Sequence, residues 1–479
     1  MVGLMTLRRA FQTLVLLSFL ALAPACGAEE EPPPDDAERL RSAVTTEDIL
    51  QHARRFEEIA EANGGNRAAG TPGYDASVDY VAQQLREAGY DVSVRPFEIP
   101  YYEELAPARL ELVAPDARPY QEGEDFSALH FSGSGAVVAP VRPVDLGEPG
   151  DSSSGCERSD FKRLVEGEVA LMRRGSCPFE DKVSNAEEAG ASAVVIFNEG
   201  SQGRTGPLGA GTLERPGIGI PVIGASLAVG EDLARLNAED GGAAVRVAAS
   251  TVSENRSTAN VVAERRSGSE DGTVVVGAHL DSVREGPGIN DNGSGSATIL
   301  EIARKMTELG VEPRKKVRFA FWGAEEIGLV GSTSYVEGLS EDEVEEIGTY
   351  LNFDMLGSPN FVRFVYDGSS GPRGSGRIEE VFTDYFASRN LEVRTDSTLE
   401  GRSDHGPFAE RGIPIGGLFT GFEGTKTEEE SALFGGEAGE PHDPCYHQAC
   451  DTVENLNPRA LDEMSDAAAH ATVVLAEEE

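Results

Sequence analysis

KVRFAFWGAEE, residues 316–326, is the stretch on which the fold turns. An apolar run ending in Phe319-Ala320-Phe321-Trp322 leads straight to two adjacent carboxylates, Glu325 and Glu326. A strand entering an interior should not finish on unpaired anions, because an isolated buried carboxylate costs several kcal/mol or takes up a proton. A cation at this strand end resolves the conflict.

The same texture continues on both sides. From about 258 to 475, strand-like runs (ANVVAER, TVVVGAHL, KVRFAFWGA, GTYLNFDML, PIGGLFT) alternate with amphipathic helical ones (SATILEIARKMTEL, RIEEVFTDYFASR, RALDEMSDAAAHATVVLA). Near-continuous β-branched runs between helices predict an α/β fold, a mostly parallel or mixed central sheet covered by helices on both faces. Ligand sites in such sheets gather at the carboxyl ends of strands. Several acidic or imidazole groups fall there: His279 after TVVVGA, Asp291 in the loop GINDNGSG, Glu325 and Glu326 after KVRFAFWGA, and Asp354 after YLNF. His447, in DPCYHQAC, adds a second imidazole from far downstream. Carboxylate oxygens and imidazole nitrogens without thiolate suit zinc or a similar divalent ion at an open site. One zinc takes about three protein ligands, so five candidates and a spare glutamate fit two metals sharing a bridging carboxylate. Glu326 can then bind metal while Glu325 stays free as a general base.

Composition narrows the class. Against 41 Lys plus Arg stand 83 Asp plus Glu, a net charge of −42, which disfavours nucleic acid and anionic lipid and favours cations. Residues 1–26 read as an export signal: Arg8 and Arg9, the apolar LVLLSFLALA, then small residues up to Cys26. Ala23-Pro24-Ala25-Cys26 is similar to a bacterial lipoprotein cleavage site, with Ala23 where Leu is usual, so Cys26 is a candidate lipid anchor and the protein an exported lipoprotein or a secreted one. Residues 27–43 are acidic and Pro-rich, as a solvated tether would be. Four further cysteines, Cys156, Cys177, Cys445 and Cys450, suggest two disulfides in an exported protein. Proximity favours Cys156 with Cys177 and Cys445 with Cys450, and the other pairings stay open.

HLDS, GINDNGSG, FWGAEEIGLVGS, YLNFDMLGSPN, GRSDHGPF and DPCYHQACDT, with NGGNRAAGTPGYDASVDYV near the amino terminus, together resemble the secreted bacterial double-zinc aminopeptidases. The resemblance implies His279 and Asp354 on one zinc, Glu326 and His447 on the other, and Asp291 bridging. It implies Asp281 orienting His279, a cis peptide between Asp291 and Asn292, Glu325 as general base toward a water shared by the metals, and Tyr446 donating to the carbonyl oxyanion. Glu325, Asp354 and the Arg402 carbonyl would recognise a free α-amino group, and Met355 and Phe419 would line an apolar pocket. His405 reads as structural. A calcium site at Asp48, the Ile49 carbonyl, Asp462 and Asp466 is implied as well. Peptides with a free amino terminus are the implied partners. A carboxypeptidase or dipeptidase of the same clan and a non-catalytic receptor or adhesion module are the competing readings.

From about 105 to 255 the texture changes to short β-like runs among glycines, with one helical stretch, FEDKVSNAEEAGA. This segment, bounded at 125–252, resembles a mostly-β protease-associated domain inserted into a zinc peptidase domain spanning 44–105 and 255–476.

Overall fold

A computed structural model describes residues 35–147, 153–209, 211–238, 242–396 and 401–478. The export segment and Cys26 lie outside the described residues. In chain order the strands outside the inserted module are β1 (Asp91–Ala114), β2 (Ala244–Glu264), β3 (Ser269–His279), β4 (Lys315–Trp322), β5 (Ile347–Phe353), β6 (Phe364–Tyr366), β7 (Arg394–Asp396) and β8 (Ile415–Phe419). Across the sheet they lie in the order β7-β6-β8-β5-β3-β4-β2. β4 and β5 flank β3 in parallel, and β8 runs parallel to β5. Their carboxyl ends therefore share one edge. β2 runs antiparallel to β4, and β6 to β8, so the sheet is mixed.

Alternation along these strands builds two cores. Val274, Val276, Phe319 and Phe321 face one side, where they meet Phe56 and Val81 of helices α2 (Thr46–Ala62) and α3 (Pro72–Glu87), Ile299 of α4 (Gly295–Leu309) and Met464 of α5 (Pro458–Glu477). Val275, Ala320, Trp322 and Tyr350 face the other, against Tyr335 and Phe408. Tyr350 and Phe408 stack with ring centres 3.9 Å apart. Three of these helices begin on side-chain caps that the sequence supplies. Thr45 and Thr71 cap α2 and α3, and Asn457 caps α5 with Pro458 following, the side-chain acceptors satisfying amides that lack a helical partner.

Two sequence boundaries shift. β1 and β2 form one long antiparallel ribbon, from the pair Asp91↔Glu264 to the pair Ala114↔Ala244, so the expected borders at 105 and 255 fall inside continuous strands. Beyond the ribbon the module holds a parallel set of strands, Gly135–Pro143, Val169–Arg173, Ala193–Phe197 and Val222–Ala225. A second helix, Leu227–Ala238, joins the expected one at Phe179–Glu188. Gly230 disguises it in the sequence, and a Cβ there would stand 1.9 Å from the Phe197 ring. The helix needs that glycine to lie flat on its strand.

The tether reading is corrected over residues 36–43. Asp36–Ala43 is helix α1, with Leu40 fully buried and Ala37 nearly so, packed in the same core as α5. Its charged residues, two acids and two arginines, conceal a one-sided apolar face. The same contact bears on the calcium expectation. Arg41 Nη1 lies 3.1 Å from Asp466 Oδ2, the Thr46 hydroxyl donates to Asp462 at 2.7 Å, and Lys305 Nζ stands 3.8 Å from Asp48. Ile49 is fully buried. Protein cations thus stand beside two of the three carboxylates that a calcium ion would have needed, and the third accepts from a hydroxyl. These residues do not fit a calcium site, and among the described residues they form no three-ligand grouping.

Leu40→Ala should cost about 2–5 kcal/mol in urea denaturation, the range for emptying a buried leucine site; a solvated tether would give no change. Added calcium should leave the melting temperature unmoved, whereas an ion bound only by the native state would raise it.

Candidate metal centre

The shared strand edge collects the polar groups. His279 is the last residue of β3, paired in register with Trp322 at the end of β4. Beyond Trp322 the chain turns through Gly323 and Ala324, the latter at φ 59°, before Glu325 and Glu326. Asp354 follows β5 directly, and Met355 after it has φ 53°. His447 itself has φ 57°. Left-handed backbone at three non-glycine residues beside one cleft is local strain held in place by its surroundings, as functional sites commonly show.

His279 Nε2 stands 3.2 Å from Asp291 Oδ1 and 3.4 Å from Asp354 Oδ1. His447 Nε2 stands 3.2 Å from Asp291 Oδ2 and 3.1 Å from Glu326 Oε2. Asp291 thus offers one oxygen to each imidazole. Two three-residue groupings bring ligand atoms within 4.8 Å of one another: His279, Asp291 and Glu326, and His279, Glu325 and Asp354. Glu326 Oε1 and Asp354 Oδ1 are buried with no hydrogen-bond partner among the described residues. A space ringed by carboxylate oxygens and imidazole nitrogens, two of the oxygens without a hydrogen bond, can take a cation, and the oxygen and nitrogen set suits zinc.

The acids confirm the crowding. Burial, with Asp404, Asp354 and Glu326 adding to it, pushes the Glu325 carboxyl well above the usual range. Burial and the nearby Asp291 push Glu326 up to about 8, His447 opposing. Burial would lower His447, but its bonds to Asp291 and Glu326 carry it up to about 10. For Asp291, burial is outweighed by the two imidazoles, and its pKa falls. Left to protein groups alone, the cluster shares protons among its carboxylates and imidazoles.

Supporting contacts fix these groups. The Asp281 backbone oxygen lies 3.2 Å from His279 Nδ1, with its carboxylate at 3.6 Å. That carboxylate also accepts the Glu325 and Glu326 amides, at 3.2 and 3.4 Å, so Asp281 pins both strand ends. The peptide between Asp291 and Asn292 is cis. A row of hydrogen bonds runs from the far core to the centre. Trp322 Nε1 donates to the Tyr350 hydroxyl, which donates to Asn352; Asn352 donates to the Ser403 hydroxyl, which donates to Asp354 Oδ2 at 2.7 Å.

Sequence reading missed several partners. Asp451 accepts the amides of Asn290 and Asp291, at 2.8 and 3.0 Å. Asn292 accepts from the Met355 amide and donates to the Phe353 carbonyl. Arg67, fully buried, donates to the Pro287 and Gly288 carbonyls. The runs NRAAG and CDT held the only signal for Arg67 and Asp451, since nothing local requires an ion there.

Cys445–Cys450 is bridged, as is Cys156–Cys177. The smaller ring encloses Tyr446 and His447, whose rings stack at 3.8 Å. Tyr446, Arg402, Met355 and Phe419 border the same cleft, joined by Phe422. Burial, with Asp291, Glu326 and Asp354, raises the Tyr446 phenol far above its ordinary value. The Arg402 side chain instead lies over the Phe422 ring and 3.8 Å from Glu423. His405 Nε2 accepts the Gly401 amide, bracing the turn that carries Arg402.

Residues 260–472 match Peptidase family M28, and residues 134–233 match the PA domain. An aminopeptidase of Pseudomonas aeruginosa is 46% identical over 448 residues, covering 90% of this chain and 81% of that protein. A probable lipoprotein aminopeptidase of Mycobacterium tuberculosis is 42% identical, over 88% of this chain and 83% of its own length. Among solved structures, an aminopeptidase from an Aneurinibacillus strain aligns with TM-score 0.60 at 25% identity, covering 91% of this chain and 95% of its own. A zinc aminopeptidase from Bacillus subtilis aligns with TM-score 0.57 at 26% identity, covering 89% and 94%. The chain belongs to peptidase family M28, with a PA domain inserted between the two strands of its long ribbon.

Proposed function

We propose that the protein is a two-zinc aminopeptidase that releases the first residue of peptides with a free amino terminus. The observation that carries this reading is the convergence of His279, Asp291, Glu326, Asp354 and His447 on one cleft with Glu325 beside them. The names of the relatives support it: aminopeptidase for the P. aeruginosa protein, zinc aminopeptidase for the B. subtilis structure.

His279 and Asp354 would hold one ion, Glu326 and His447 the other, and Asp291 both. Two divalent ions, when bound, polarise the scissile carbonyl and lower the pKa of a shared water. The polypeptide supplies the rest. Glu325, buried and basic for a carboxylate, takes the proton of the attacking water and passes it to the departing amine nitrogen. Tyr446, kept protonated by its surroundings, donates to the carbonyl oxygen as negative charge develops there. Asp281 fixes Glu325 and Glu326 through their amides, so that neighbours in sequence serve different tasks. The substrate's α-ammonium meets Glu325, Asp354 and the Arg402 carbonyl, while Met355 and Phe419 take an apolar first side chain.

We further propose that the chain is exported and anchored through Cys26, in line with the lipoprotein name of the M. tuberculosis relative. No helix among the described residues is long and apolar enough to cross a membrane.

Purified protein should contain two zinc equivalents and cleave leucine p-nitroanilide but not its amino-acetylated form. Glu325→Gln should keep both metals and lose about 10²- to 10⁴-fold in kcat; turnover equal to the parent would overturn the base assignment. Asp291→Ala should lose the metals themselves, measured by elemental analysis. Replacing Cys445 and Cys450 together by serine should impair activity well before stability, because a ring this small removes only about 2 kcal/mol of chain entropy.

A further inference from the structure

A second cavity, of about 230 Å³, opens beside the metal centre toward the PA domain. Glu326 borders both spaces. The rest of its wall includes Ala68 and Ala69 before α3, Tyr101 and Tyr102 on β1, Arg284 on the loop after β3, and His130 from the inserted module, with Ile327 exposed at the rim. His130 packs edge-on against Tyr102, ring centres 4.4 Å apart, so the inserted domain closes this space directly.

Asp281, Glu285 and Glu326 put carboxylates on this wall, and Arg284 is the one arginine or lysine on it among the described residues. On a protein of net charge −42, two guanidinium groups lie on the Tyr101 ring, Arg256 at 3.3 Å and Arg284 at 4.3 Å. Arg256 is occupied, paired with Glu254 at 2.8 Å and donating to the Gly70 carbonyl. Arg284 is not. Among the described residues its one charged partner is Glu103, at 3.7 Å, and the same Glu103 oxygen already accepts the Tyr101 hydroxyl at 2.7 Å. A half-exposed pair of that length is weak, which leaves a planar set of N–H donors suited to a carboxylate.

The first residue of a substrate goes toward Met355 and Phe419, neither of which borders this second cavity. The chain beyond the scissile bond must leave by another side. We propose that it enters the cavity beneath the PA domain and that Arg284 pairs with the free α-carboxylate of a short peptide, two to four residues long. The PA domain then contributes to selecting substrates by length. This rests on the aminopeptidase reading.

The test compares leucyl-glycine peptides of two, three and four residues with their carboxamides, and leucine p-nitroanilide as the reference substrate. The parent should favour the acid by about five- to tenfold in kcat/KM for at least one length, the range for a hydrogen-bonded charge pair at a partly exposed site. Arg284→Met should bring that ratio close to one through KM, and Arg284→Lys should restore part of it. Glycylglycine, a product, should inhibit the parent more strongly than its carboxamide, a measurement that needs no variant. Acids and amides turned over alike, an acid preference that survives Arg284→Met, or equal inhibition by the two products overturns the subsite alone. Failure of the parent to cleave leucine p-nitroanilide overturns the aminopeptidase reading, and this proposal with it.

Discussion

Mutual repulsion among buried carboxylates is the constraint around which the carboxyl-terminal half is built. Asp291, Glu325, Glu326 and Asp354 share one cleft, and two unit charges 4 Å apart at an effective dielectric of 20 repel by about 4 kcal/mol. A whole domain is typically stable by only about 5–15 kcal/mol, so such a group survives only with protons or cations among it. The two imidazoles answer part of the demand, and the buried oxygens without partners mark where the remainder has to come from. The parallel strands deliver these groups to one edge, and Asp281, Asp451, Asn292 and Ser403 keep them from turning away. Rigidity here comes from hydrogen bonds, made to backbone amides and carbonyls and, by Ser403, to a carboxylate.

The ribbon of β1 and β2 serves a different purpose. It is an extension of the same sheet, since β2 pairs with β4 at one end and with the first module strand at the other. The PA domain is therefore fixed to the central sheet by continuous backbone pairing, where a flexible linker would let it drift. A domain that contains none of the proposed metal ligands can still shape the approach to them.

How much of this was legible in the sequence follows from the range of the forces involved. Strand ends bearing His279, Glu325, Glu326 and Asp354 could be read because a charge at the close of an apolar run contradicts its local surroundings, and the contradiction announces a ligand. The face alternation of Val274 to Val276 and of Phe319 to Trp322 was readable for the same local reason. Arg67 and Asp451 were not, because an arginine or aspartate in a polar loop is locally unremarkable and becomes necessary only once distant carbonyls and amides meet it. Helix α1 was misread because the acidic, Pro-rich run before it sets the composition of the segment, while Leu40 and Ala37 do the packing. Helix Leu227–Ala238 was overlooked because Gly230 suggests a turn, whereas its lack of a side chain serves contact with Phe197. Asp466 looked like a ligand in search of a metal until Arg41, from a segment taken as tether, proved to be its partner.

The row of donors from Trp322 to Asp354 gives the centre an unforeseen witness. Every hydrogen in it is aimed the same way, toward the carboxylate, and hydrogen bonds aligned in series polarise one another. Trp322 is also the chain's single tryptophan, held without solvent exposure. A lone indole thus stands at the far end of a row that ends on Asp354, so all of the protein's tryptophan emission comes from that one position.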